Sequence, residues 1–456
     1  MTAVLDTTTV ADLAAAVAGP VLVSGDDGYA EEVASFCLTH AAVPAVVVGA
    51  ASADDVAAAV NWATRAGLRV SVQATGHGLL CDLADTVLVS TRRMDAVSVD
   101  PWTRTARVQA GVRWRQVIDA AALHGLAPLN GSSSNVGVVG YTLGGGLGPM
   151  ARRFGFAADH VRRFTIVTAD GAIRDVTAQS DPDLFWAVRG GKASFGIVTE
   201  LEFALVSVTR FHGGSIFFPG ESAADVLHAW RAWAPTLTDD TSTSIAMLRL
   251  PPDPALPEPL RGRFVVALRV VHLGSAAEGE AVLAPMRAVA PPLLDLVADM
   301  PYAAIDAVHM DPVAPMPVHD RGVTVGALPA EAVEALLAVA GPDVPAPLAM
   351  VEIRLLGGAI GREPEVANAV AGRDAAFSVF VIGAPFGPPV EAVRATLDAV
   401  VAAVEPWACG GLLNFLGAAT PERVGQLWDA PRRARLLAIR ERVDPTELFA
   451  TNVVIG

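Results

Sequence analysis

The chain has 456 residues, enough for two or three domains. Its 52% hydrophobic and 18% charged residues exclude a disordered polymer and allow large buried cores. The net charge of −15 repels phosphate backbones, which argues against a nucleic-acid partner.

No membrane partner is expected either. The long apolar stretch 126–151 contains Asn130, Ser132, Ser133, Ser134 and many glycines, a poor composition for a bilayer helix. The opening MTAVLDTTTV lacks a basic region followed by an apolar run, so we expect a cytoplasmic protein. Cys37, Cys81 and Cys409 are too scattered for a disulfide framework or a zinc site, and no histidine pair has metal-ligand spacing; no metal is expected. Lys192 is the only lysine, which reads as a coding bias towards Arg.

In chain order, the β-branched run 44–49 predicts a strand, and 53–66 has helical spacing opened by Asp54 and Asp55, suited to a helix N-terminus. Strands are expected at 68–73, 85–90, 96–100 and 104–110, then an amphipathic helix over 112–124. A hairpin over 164–168 and 173–176 turns at Asp170-Gly171, and 197–205 is a further strand. The middle differs: long strands at 214–218, 244–250, 263–273, 350–355 and 377–382 alternate with helices over 223–233, 276–289 and 330–340. That is an α+β pattern with an extended sheet. A basic helix over 431–442 precedes a short apolar tail.

Three segments carry chemistry. The first is the glycine run from Gly137 to Gly148, where backbone N–H groups approach a ligand closely and form anion-binding nests. It is no Walker A, since no Lys-Ser/Thr follows, and Pro149 breaks a dinucleotide fingerprint; a tightly packed corner is the plain alternative. The second is Thr75-Gly76-His77-Gly78 at a strand end, where the histidine is placed to meet a ligand, or is an ordinary loop residue. The third runs from Asp183-Leu-Phe-Trp186 through Arg189-Gly-Gly191 to Phe195-Gly196-Ile-Val-Thr, read otherwise as a core helix and a tight turn.

Taken in this order, with Val136-Gly-Val-Val-Gly140 and the ending Val443-Asp-Pro-Thr-Glu-Leu-Phe-Ala-Thr-Asn452, the segments resemble the berberine-bridge-enzyme-like branch of the vanillyl-alcohol-oxidase, or PCMH-type, FAD-binding superfamily. The resemblance implies a two-domain α+β fold. An FAD-binding domain would span 1–205, with its PCMH-type core at about 40–205, and be completed by 420–456; a substrate domain, 206–419, would rest on a large antiparallel sheet.

It also implies the cofactor, FAD, and its contacts. His77 matches the residue bonded to the flavin 8α carbon. Ala74, Thr75, Gly76 and Gly78 would supply N–H groups to the pyrophosphate, with Gly137, Gly140, Tyr141, Gly144, Gly145, Gly148, Gly196, Ile197, Val198 and Asn452 as further cofactor contacts. Relatives often add a second link through Cys where this chain has Ser133, so a single covalent attachment is expected. Val136 matches a position that leaves room for O2, which favours an oxidase.

The usual Tyr-x-Asn-Tyr segment reads Leu412-Leu-Asn414-Phe415 here, so the phenol base is missing. Glu352, Arg354 and Asn414 are the catalytic candidates, with Arg373 as a further partner of Glu352; strand alternation puts Glu352 and Arg354 on one face, where a structural ion pair is the competing reading. The implied activity is hydride transfer from a bulky secondary metabolite to flavin N5, as in alcohol oxidation, dehydrogenation or oxidative cyclisation during antibiotic biosynthesis. A carbohydrate or alcohol oxidase, or a flavoprotein that sequesters a drug or performs a non-redox cyclisation, is the alternative.

Overall fold

The computed structural model describes residues 7–39, 43–78, 83–384, 387–417 and 420–450; Cys81 and Asn452 lie outside them. Three sheets organise the chain. In the first, Val46–Gly49, Thr86–Ser90 and Arg69–Gln73 run parallel, with Val21–Leu22 antiparallel at one edge. The helix Ala53–Ala66 covers it. Ser52 caps its start by accepting from the Asp55 N–H at 3.2 Å, and Gly67, at φ 68°, ends it in the left-handed conformation.

The second sheet orders Val97–Asp100, Thr105–Gln109, Ile197–Ala204, Val161–Val167 and Ile173–Val176, all antiparallel. Its core includes Trp114 of the helix Trp114–Ala122, Phe164, Phe185 and Phe203. The glycine run does not form an open corner. Val138–Leu143 folds into a short helix whose buried side chains, Val138, Val139, Thr142 and Leu143, outweigh the helix penalty of Gly140.

The third sheet is the large antiparallel one. Its order is Leu294–Asp295, Arg210–Pro219, Phe264–His272, Thr241–Arg249, Leu348–Leu355, Phe377–Gly383, Asp320–Val325 and Ala408–Gly410, with Ala298–Pro301 also paired to Arg210–Pro219. Period-two alternation divides its residues between two faces. Ile245, Leu268, Val351, Ile353 and Val379 pack under helices Ala223–Trp233, Ala276–Arg287, Ala330–Ala340 and Val390–Ala403. Ser244, Arg269, Glu352, Arg354 and Phe380 belong to the opposite face. The strand Asp320–Val325 and the helix Val390–Ala403 are elements that the sequence pattern does not announce.

The C-terminal helix Ala430–Val443 returns to the second sheet's side, where Arg435 pairs with Asp183 at 2.8 Å and lies over the Trp186 ring. Phe449 then forms a parallel bridge with Val70 of the first sheet. No helix among the described residues is long and apolar enough to cross a membrane.

Gly196 starts the strand Ile197–Ala204 at φ 147°, and a Cβ there would stand 2.5 Å from the Val167 carbonyl oxygen. That oxygen belongs to the backbone of a neighbouring strand and cannot swing aside. Gly196→Ala is expected to destabilise the protein by at least about 1–3 kcal/mol, read as a lower urea midpoint at unchanged m-value.

Candidate functional site

A cavity of about 330 Å³ is lined by residues of the first sheet, by Ile197 and Val198 of the second, and by Asn414 and Phe415, whose ring meets Phe380 of the third. Its wall includes Val70, Gln73, Thr91 and Phe449, and also Tyr141, Leu143, Asn414 and Phe415. The His77 loop, residues of the Val138–Leu143 helix and the turn before Ile197 complete the wall. These are the segments that the motif order joins in the sequence.

The His77 loop is braced from outside. Ser35 Oγ donates to the Gly76 carbonyl at 2.8 Å, and the N–H groups of Phe36 and Cys37 donate to the Thr75 and Gly76 carbonyls at 3.0 and 3.3 Å. Gly76 adopts φ 71°, and a Cβ there would collide with Ser35. The Phe36 ring stacks on His77 with centroids 4.0 Å apart and planes 10° from parallel. Thr75 Oγ1 lies 2.9 Å from His77 Nδ1. Burial, reinforced by the nearby Arg113 charge and opposed by Asp311, pushes the imidazole pKa down to about 4. His77 is therefore neutral, and nucleophilic, at physiological pH.

Of the expected cofactor contacts, Ala74, Thr75, Gly76, His77, Gly78, Val136, Gly137, Gly140, Tyr141, Gly196, Ile197 and Val198 all line the cavity. Gly144 backs it, since a Cβ there would collide with Lys192 and Asn414, while Gly145 packs against Val370 and Phe156. Gly148 is withdrawn to a smaller pocket of about 30 Å³, and Gly131 and Ser132 take the wall position expected of Ser133.

The residues present fit FAD. The lining has no Asp, Glu or Arg among the described residues, so nothing there opposes a diphosphate. Gln73 Oε1 and the Tyr141 hydroxyl are buried without a hydrogen-bond partner among the described residues, although their residues face the cavity. Burial raises the Tyr141 phenol far above its ordinary range against the pull of Arg354, so it stays protonated. Lys192, a compositional oddity in the sequence, also lines the cavity. Its φ of 54° and ψ of −139° fall close to a region almost reserved for glycine, at a cost of about 1–3 kcal/mol. Only its place inside the third motif hints at this.

The catalytic candidates separate. Asn414 lines the cavity and is oriented by donating to the Tyr141 carbonyl at 2.8 Å. Glu352 is not among the described lining residues and is 2% exposed. It pairs with Arg269 and Arg354 at 2.7 Å each and accepts from Ser244 Oγ at 2.7 Å. Burial alone would raise this carboxyl, yet Arg354, Arg269 and His309 outweigh it and hold the group well below the carboxylate range. A carboxylate so held is a poor proton acceptor, so its geometry is that of the structural ion pair. Arg354 carries the link forward, its guanidinium 5.3 Å from the Phe415 ring centroid. Arg373 is not a partner of Glu352: it pairs with Asp159 at 2.5 Å, because the segment after the strand Leu348–Leu355 carries it back towards residue 159.

Residues 44–177 match the family model described as FAD binding domain. The chain has the fold of the PCMH-type, berberine-bridge-enzyme-like FAD oxidases. It aligns with 6-hydroxy-D-nicotine oxidase from Arthrobacter nicotinovorans at TM-score 0.83 and 25% identity, covering 96% of this chain and 98% of that one. A xylooligosaccharide oxidase from Myceliophthora thermophila, at TM-score 0.84 and 20% identity over 98% of this chain and 99% of that one, shares the fold.

By sequence, (R)-6-hydroxynicotine oxidase of Paenarthrobacter nicotinovorans is 31% identical over 49% of this chain and 46% of its own length. An FAD-dependent monooxygenase of Penicillium roqueforti is 31% identical over 46% and 42%. The matched stretch thus spans about half the length of these curated relatives.

Glu352→Gln should cost about 3–5 kcal/mol, since it leaves the buried Arg269 and the partly buried Arg354 without their shared counter-charge. Because the folded pKa lies below the unfolded one, wild type should keep this contribution above the ordinary carboxylate pKa and lose it as the pH falls towards the folded value. Urea unfolding of both proteins between pH 7 and pH 3 measures it.

Proposed function

We propose that this protein is an FAD-dependent oxidase that takes two electrons from a bulky, moderately apolar secondary metabolite and gives them to O2. The carrying observation is the glycine-walled cavity, without a carboxylate among its described lining residues, with the neutral His77 in its wall. We take residues 1–205 with 420–456 as the cofactor domain and 206–419 as the substrate domain. When bound, FAD supplies the two-electron acceptor that O2 reoxidises with release of H2O2.

On this reading His77 holds the flavin through a single covalent bond. Phe36 and Thr75 fix the imidazole plane, and burial keeps it unprotonated. Ser132 and Ser133 offer no thiol for a second link. Val136, in the cavity wall, leaves space for O2.

Asn414 orients substrate, and Phe415 with Phe380, whose rings meet edge to face at 5.1 Å, supplies an apolar wall. Glu352 acts as a positioning residue that holds Arg354. Among the described lining residues, the phenol of Tyr141 is locked in its acid form and no carboxylate is present to serve as a base. That favours oxidation at a carbon bearing a neutral amine, whose nitrogen needs no deprotonation, over an alcohol or a sugar. The nicotine-oxidising relatives support the same choice.

Two outcomes are expected. Purified protein should be yellow, and its colour should stay with the acid-precipitated chain but be released from His77→Ala. Attachment to apoprotein should run at a constant rate from pH 8 to about 5 and slow towards pH 4, as the imidazole gains its proton. Separately, anaerobic mixing with tertiary or secondary cyclic amines should bleach the flavin band, and air should restore it with one H2O2 per turnover. Bleaching by sugars alone would overturn the amine assignment.

A further inference from the structure

Lys192 is the chain's only lysine, and it is held in the cavity wall. No carboxylate pairs with it among the described residues, although the sequence holds 48 Asp and Glu. Burial pushes its pKa down, to about 8, with no opposing charge among the described residues to restore it.

Its position is defined by glycines. A Cβ on Gly78 would stand 3.9 Å from Nζ, and one on Gly144 would collide with both Lys192 Cε and Asn414 Oδ1. The ammonium therefore spans from the Gly144 turn towards the loop that carries His77, beside Asn414. The placement strains the backbone, since Lys192 follows Gly190 and Gly191 in a conformation that a third glycine would adopt freely.

A desolvated cation with no carboxylate partner among the described residues, kept at a strained position in a cavity wall whose described residues include no acid, needs an anion from the ligand. We propose that Lys192 is the counter-charge for bound FAD, its ammonium meeting an anionic group of the cofactor. FAD has two such groups: the diphosphate, and the pyrimidine edge of the ring, which takes up negative charge on reduction. The inference rests on the FAD reading above.

The test compares His77→Ala with His77→Ala carrying Lys192→Met or Lys192→Arg, titrated with FAD and with riboflavin, alongside the flavin midpoint potential of the Lys192→Met and Lys192→Arg holoenzymes. Loss of a charge-assisted contact should weaken FAD about tenfold or more, with Arg restoring most of it and riboflavin unaffected, if the diphosphate is the partner. If the reduced ring is the partner, both affinities should hold while the potential of Lys192→Met falls and Arg restores it.

The proposal is overturned if neither FAD affinity nor potential moves, including the case in which only KM for substrate rises. A wild-type protein that carries no flavin would instead overturn the FAD reading itself. Lys192→Gly separates charge from folding: it should melt at a higher temperature than wild type as apoprotein and still share the defect of Lys192→Met.

Discussion

A short segment, residues 35–39, holds the two halves of the molecule around the cavity. On one side it hydrogen-bonds the carbonyls of Thr75 and Gly76 and stacks Phe36 on His77. On the other, Leu38 donates to the Met316 carbonyl at 2.9 Å, Met316 donates back to Phe36 at 3.0 Å, and the Val318 N–H donates to Thr39 Oγ1 at 2.8 Å. The loop that bears the His77 imidazole is thus tied directly to the chain entering the strand Asp320–Val325. Backbone bonds of this kind hold the loop more firmly than side-chain packing on a flexible turn would, and the glycines of the loop remain free to face inward.

Charge is segregated with equal care. No acidic side chain is among the described residues of the cavity wall, and two buried carboxylates outside it are neutralised: Glu352 by Arg269 and Arg354, and Asp159 by Arg373. Arg189, fully buried, donates to the carbonyls of Phe185 and Val366 at 2.9 and 3.2 Å and so stitches the Pro182–Gly191 helix to the loop that leads to Arg373. The result is a site whose walls present mostly backbone and apolar surface. Lys192 is the one charged side chain among the described lining residues.

Much of this organisation is legible in the amino-acid sequence. Periodicity locates most strands and helices to within a few residues, because the cores are built from recurrent Val, Ile and Leu at strand and helix spacing. Motif order identifies the cavity loops, since close backbone approach leaves few residue types permitted. Other features are hidden for physical reasons. Whether Glu352 meets Arg269 depends on strands separated by dozens of residues, and Arg269 itself carries no local signal. The helix at Val138–Leu143 forms through tertiary burial against its own propensity. Lys192 resembles a compositional accident because its meaning lies in what surrounds it.

A chain with a single ε-amine, placed where it is, has a practical side. Apart from the α-amine, every amine-directed reagent has one address in this protein, and that address lies on the cavity wall. Acylation or reductive methylation followed by mass spectrometry becomes a direct gauge of how often the interior opens to solvent. Surface immobilisation through lysine would, for the same reason, be slow and self-defeating.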